Sequence, residues 1–215
     1  MQADYPNASS KKEAKIMKKR IITISRQFGS GGHSIAKTVA ERLGVPFYDS
    51  ELITEVAKQS GLSEDFIREN EEYASHSSSF LYQLAMSTAG TYGYPSVYQK
   101  LYEAQTKVIQ DLAEKESCVI VGRCADYILR DRKDCLHIFI HADNEHRAKH
   151  ILEKYGPTDK TTTQRIKDKD NRRRNYYRFH TDRDWGVATN YSLTLDSGIL
   201  GEEACVEIIL RAMED

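Results

Sequence analysis

The chain has 215 residues, with 31 Lys and Arg against 32 Asp and Glu, a formal net charge of −1 and 29% charged residues. That length suits one α/β domain with a full core, and the balanced charge excludes a global bias toward nucleic acid or membrane. There is no apolar run long enough to cross a bilayer.

The first 19 residues form a polar arm without the apolar centre of a secretory signal. Four cysteines (Cys118, Cys124, Cys135, Cys205) stand at no metal-ligand spacing. They read as reduced thiols of a cytoplasmic protein without disulfides or structural zinc. The remainder, 20–215, reads as one domain.

Three Ile/Val-rich runs, "RIITIS" (20–25), "SCVIVG" (117–122) and "CLHIFIH" (135–141), have no clean alternation, as expected of parallel strands covered on both faces. A weaker strand, "PFYD" (46–49), and a last one, "YSLTLDS" (191–197), complete the set. Helices are predicted over 32–43, 49–59, 143–155 and 201–213. This alternation predicts a doubly wound parallel sheet with right-handed crossovers. Two regions interrupt it. Residues 61–116 form a helical insertion rich in tyrosine (Tyr73, Tyr82, Tyr92, Tyr94, Tyr98, Tyr102), with a turn expected at 87–96. Residues 158–185 are polar and arginine-rich, suited to a mobile cover.

Residues 24–36 read "ISRQFGSGGHSIA". A glycine-rich turn between a buried strand and a helix presents free amides and the positive end of a helix dipole, which together form an anion site. Ser34 falls where the Ser/Thr of GxxxxGK[ST] is expected, and its hydroxyl could ligate Mg²⁺. Arg26 stands at the first-glycine position and Gly32 replaces the lysine. The alternative is a tight turn with no ligand. In "VIVGRCADYIL" (119–129), Arg123 emerges at the carboxyl end of a strand, where open α/β sheets bind ligands. It can grip phosphate through its planar fork or form an ion pair with Asp126 or Asp49. In "DNRRRNYYRFHTDRDW" (170–185), Arg173 shares a helix face with Tyr177, and Arg174 with Arg178. Such a stripe can be a solvated face, an RNA surface or the arginine lid of a phosphotransferase.

With these segments together, the sequence resembles the cytidylate kinase-like branch of the P-loop nucleoside monophosphate kinases over most of residues 20–213. The resemblance is carried by "ITISRQFGSGGHSIAKTVAERLG" (22–44), "PFYDSELI" (46–53), "VIVGRCADYIL" (119–129), "HIFIHADNEHRAKHI" (137–151), "DNRRRNYYRFHT" (170–181) and "NYSLTLDS" (190–197). It implies a P-loop fold that uses ATP and Mg²⁺. Gly29, Ser30, Gly31, Gly32, His33 and Ser34 would hold the donor phosphates, with Arg147 near the donor nucleotide. Asp49, Arg123, Asp126 and Asp170 would meet the acceptor. Arg26, Arg123, Arg173 and Arg178 would stabilise the transferring group.

The lysine of that family's loop is absent, which removes a positive charge from between the β- and γ-phosphates. Arg26 or Lys37 could compensate, and Arg26, at the loop entrance, is the better placed. The tyrosine-rich insertion does not match the family's compact acceptor domain. The leading expectation is therefore an ATP-dependent phosphotransferase acting on a nucleoside monophosphate (CMP-like) or a related small phosphorylated acceptor. A catalytically weak nucleotide-binding regulator is the second reading, and an RNA-binding module the third. No membrane partner is expected, and the oligomeric state is left open. Trp185 reads as a packing anchor, and His137 and His141 lack a ligand set for metal.

Overall fold

The computed structural model describes residues 20–49, Leu52, Glu55, Gln59 and 97–214. Strands β1 (Ile21–Arg26), β2 (Phe47–Tyr48), β3 (Cys118–Val121), β4 (Cys135–His141) and β5 (Leu193–Asp196) form one sheet in the order β2-β3-β1-β4-β5. Every pairing is parallel. Helices α1 (Gly32–Leu43), α2 (Val97–Lys115), α3 (Ala125–Ile128), α4 (Asn144–Tyr155), α5 (Thr162–Thr181), α6 (Ser197–Leu200) and α7 (Glu202–Ala212) make the crossovers and the flanking layers. This is the expected doubly wound α/β fold. The predicted helix over 49–59 is represented by helical Leu52, Glu55 and Gln59. Tyr73, Tyr82, Tyr92, Tyr94 and the turn at 87–96 lie outside the described residues, as does the arm.

The pleat explains how one Ile-rich strand serves two cores. Ile22 and Ile24 pack with Val119 and Val121 against Ile35 and Val39 of α1 and Val206 and Ile209 of α7. On the other face, Ile21, Cys118 and Ile120 meet Val108 and Ile109 of α2 and Leu129. Each fully buried isoleucine contributes about 1.5–3 kcal/mol. All four cysteines are buried, and none forms a disulfide. Trp185 packs edge-on to Phe139, with ring centroids 5.2 Å apart, as a packing anchor should.

The second face turns polar toward the carboxyl end of β1. Thr23 Oγ1 lies 2.8 Å from His137 Nδ1. Ser25 donates to Asp126, and the other Asp126 oxygen accepts from Tyr177 of α5 at 2.7 Å. Burial raises the Asp126 carboxyl and pushes the Tyr177 phenol well up. A buried carboxyl accepting two hydroxyl donors ties α5 to the sheet.

The predicted cover at 158–185 is largely the 20-residue helix α5. A capping box between Thr161 and Gln164 starts it. Its buried residues, Ile166, Asp170, Tyr177 and Thr181, recur at helical spacing and fix which face meets the body. No described helix is long and apolar enough to cross a membrane.

Candidate active site

β1 ends at Arg26, and the chain turns through residues 27–31 into α1. Gly31 caps the helix in the left-handed region, at φ 72°, with no side-chain cap and no acidic residue in the first turn. The first-turn amides have no intrahelical acceptor and remain available to an anion.

Buried groups hold this loop from beneath. Ser30 donates to the carbonyls of Gln27 and Ile140, at 2.9 and 3.3 Å, and Ser197 donates to the Ser30 carbonyl at 2.6 Å. The Phe28 amide donates to Asp170 at 2.8 Å, and the Phe28 carbonyl accepts from Arg147 at 3.3 Å. Arg147 and Asp170 are themselves a buried ion pair. The Phe28 peptide is thus gripped at both its polar atoms by one neutralised pair.

A cleft of about 390 Å³ opens above the loop, lined by residues 26–29, Gly31, Gly32, His33, Asp49, His150, Lys154, Tyr155 and Arg173. Among the described residues, three permanent cations, Arg26, Lys154 and Arg173, face one carboxylate there. Arg173 donates to the Arg26 carbonyl at 2.8 Å, and its nearest carboxylate oxygen among the described residues, on Asp170, is 3.9 Å away. Burial first, and then the charge of Arg26, lower its guanidinium to about 9. Burial also lowers Arg26, and Asp49, at 3.7 Å, partly offsets that. Arg123 adds further positive potential on Arg26. Asp49 also lies 3.0 Å from His33 Nε2, yet burial keeps His33 below its ordinary range, so it is neutral at pH 7. A cleft lined by more positive than negative charge, with open amides, suits a polyanion.

The structure explains why position 32 has no lysine. A Cβ on Gly32 would lie 2.6 Å from Cβ of Arg26 and 3.2 Å from Cβ of Ile140. The Arg26 guanidinium then runs across Gly122, where any Cβ would collide with Nη1. Arg26 therefore occupies the space that a residue with a side chain at 32 needs, and the two glycines form its slot. The chain has exchanged a small first residue and a large seventh for a large first and a small seventh.

Several sequence assignments need correction. Counted from Arg26 as the first position and Gly32 as the seventh, the hydroxyl position of the motif is His33, and Ser34 is one residue further. The Ser34 hydroxyl accepts a hydrogen bond of 2.7 Å from Lys154. Ser30, Arg147 and Asp170 are not among the residues lining the cleft; each holds the loop from beneath through at least one hydrogen bond to its backbone. Asp126 is a core anchor, since both its oxygens face α5 and β1. Arg178 is solvent-exposed and pairs with Asp184 at 3.0 Å. Tyr177 is buried on Asp126, so the imagined arginine–tyrosine stripe is divided between solvent and core.

Arg26, Gly29, Gly31, Gly32, His33, Asp49 and Arg173 do converge on the cleft. Arg123 follows β3 at φ 57°, next to Cys124 at φ 55°. Two adjacent non-glycine residues in the left-handed region are held in place partly by Gln105, which donates to the Arg123 carbonyl at 2.9 Å. The sequence reading missed His150, Lys154, Tyr155 and Phe28. Arg147, His150 and Lys154 recur at spacings of three and four, a one-face pattern that was available as a signal. Phe28 and Tyr155 stack at 5.7 Å and join the loop to the end of α4.

Known proteins are similar to this chain in sequence and in fold. A cytidylate kinase of Archaeoglobus fulgidus is 30% identical over 197 residues, 90% of this chain and 94% of that protein. A structurally solved, uncharacterized protein from Eubacterium ventriosum is 29% identical, with a TM-score of 0.69 over 91% of this chain and 98% of that one. Shikimate kinase from Acinetobacter baumannii, solved with shikimate, shares the fold at 15% identity, with a TM-score of 0.52 over 91% and 93% of the two chains. The sequence profile of the cytidylate kinase-like family matches residues 21–199, most of the chain, and the protein belongs to that family.

Proposed function

We propose that the protein is an ATP-dependent phosphotransferase that delivers the γ-phosphoryl group to a nucleoside monophosphate of the CMP type. The observation that carries this reading is the excess of cations over carboxylates lining the cleft among the described residues, above all Arg173, whose charge is held beside Arg26. A polyphosphate relieves that repulsion and takes up the first-turn amides.

An oxygen of the acceptor phosphate forms the new bond to the γ-phosphorus as the bond to the bridging oxygen breaks, and ADP leaves with the electron pair. A phosphate oxygen is already nucleophilic, so no strong general base is needed. Arg173 and Arg26 bear on the oxygens that gain charge. Arg123, near Arg26, is the candidate grip on the acceptor phosphate. Mg²⁺ neutralises charge shared by the β- and γ-phosphates when bound. Asp49 is the carboxylate the cleft provides for it, and Ser34, already beside an ammonium, is the poorer ligand. Helix α5 keeps Arg173 over the loop and excludes water from the reacting atoms.

A second reading, a catalytically weak nucleotide binder, draws on the replacement of the loop lysine by Gly32. One experiment separates them: ADP formation from ATP and Mg²⁺ with CMP, dCMP, UMP, AMP and GMP in turn. The phosphotransferase reading expects saturable turnover that is highest with CMP or dCMP. ATP binding without turnover on any acceptor supports the second reading instead.

A further inference from the structure

We infer that Lys154, in the last turn of α4, supplies the phosphate-binding ammonium that residue 32 cannot carry. The inference rests on the proposed ATP site and adds to it a residue outside the loop.

Position 32 is closed to any side chain by Arg26 and Ile140, so the loop itself cannot restore the charge. Arg26 does not cover the same ground, because its guanidinium lies across Gly122 and leans toward Asp49 at 3.7 Å. That places it on the side of β3 and β2. Lys37 is exposed on α1, with Glu41 3.9 Å from its ammonium, and does not line the cleft. Lys154 lines the cleft and reaches from α4 to the first turn of α1, where its Nζ donates to Ser34 Oγ at 2.7 Å.

The ammonium therefore stands at the first turn of α1, whose amides and a loop lysine would share the same phosphate oxygens. Its hydrogen-bond partner among the described residues is a neutral hydroxyl. Arg26 and Arg173, in contrast, each have a carboxylate oxygen within 4 Å. A cation held by a hydroxyl gives up little when a phosphate oxygen arrives, since the incoming bond is charge-assisted on both sides. Ser34 acts as a positioning residue that holds the ammonium at the first turn of α1. Phe28 and Tyr155 fix the end of α4 at the correct distance by stacking on each other. The two cations thus divide the work: Arg26 serves the edge near Asp49, and Lys154 the edge near α1.

The test is equilibrium binding of ATP, ADP and AMP to the wild-type chain, to K154M and to K37M. Lys154 is exposed, and unchanged far-UV circular dichroism will verify the fold of the variants. The inference expects K154M to bind ATP about 10- to 100-fold more weakly. ADP should lose less, and AMP and all K37M affinities should stay within about twofold. K154M binding ATP within about twofold of wild type overturns the inference and leaves the ATP site standing, and so does an equal loss on ATP and AMP. Wild-type protein that binds neither ATP nor ADP overturns the site and the inference together.

Discussion

Two arginines flank the same stretch of backbone and are treated in opposite ways. Arg147 is buried and well paired: its two Nη atoms donate to Asp170, Asn144 and the Phe28 carbonyl, and among the described residues only its Nε lacks a partner. Among the described residues, Arg173 has one backbone carbonyl at hydrogen-bond distance and Asp170 only at 3.9 Å. A buried cation neutralised by its own carboxylate builds structure, because its charge is already spent. One left short of partners keeps a field that a ligand can use. Asp170 belongs to the first arginine far more than to the second, and that asymmetry is what leaves Arg173 to the cleft.

The largest effect expected from this contrast is on stability. R147A strands the Asp170 carboxylate and releases Phe28, and it should cost about 3–5 kcal/mol in urea unfolding. A loss below about 1 kcal/mol would erase the distinction. R173A should do the reverse, with stability within about 1 kcal/mol of wild type and turnover reduced about 10²- to 10³-fold. If its KM for ATP rises while kcat is unchanged, Arg173 acts in binding alone and has no transition-state role.

The Arg26 slot sharpens the picture from the other side. G32A should cost about 1–3 kcal/mol, since its new methyl meets Arg26 Cβ at 2.6 Å. Adding R26G should recover most of that loss, so the two changes are strongly non-additive. Additive losses would mean that the two positions do not compete for space.

The smallest effect concerns pH. His180 stacks on Tyr102 with centroids 4.0 Å apart, and burial holds its imidazole at about 4. The unfolded chain takes up that proton near the ordinary value of 6.5 while the folded chain does not. The stability from a neutral His180 is therefore complete above about pH 6.5 and is lost as pH falls toward 4. The slope is at most about 1.4 kcal/mol per pH unit. H180F should flatten that slope relative to wild type, and identical slopes would contradict the burial argument.

The sequence carried the sheet well and the site only partly, for physical reasons. Doubly buried strands such as β1 and β3 need continuous apolar runs, so they announce themselves, and Gly31 and Gly44 bound α1 because both take the left-handed region. Motif correspondence could not separate a group that touches ligand from one that holds the loop. Asp170 and Arg147 sit in the expected segments, yet their atoms go to the Phe28 peptide. Asp126 looked like a site residue from its distance to Arg123 along the chain, but α3 turns it toward Tyr177. Lys154 escaped notice because its partner, Ser34, is 120 positions away, and only the assembled sheet brings α4 beside the first turn of α1. The Arg26 and Gly32 substitutions were visible singly. Their common cause, one shared volume, required coordinates.

As the ATP phosphate site, the cleft should draw part of its affinity from Arg173, which has few partners among the described residues. The most direct measurement is the ATP-induced rise in thermal unfolding temperature, taken in parallel on wild type and R173A. At 100 times its Kd, ATP adds about 2.7 kcal/mol to wild-type stability, so the wild-type midpoint should climb steadily with ATP. R173A should start from nearly the same midpoint and climb far less at each concentration. Equal climbs in the two proteins, or none in the wild type, would contradict the assignment of this cleft.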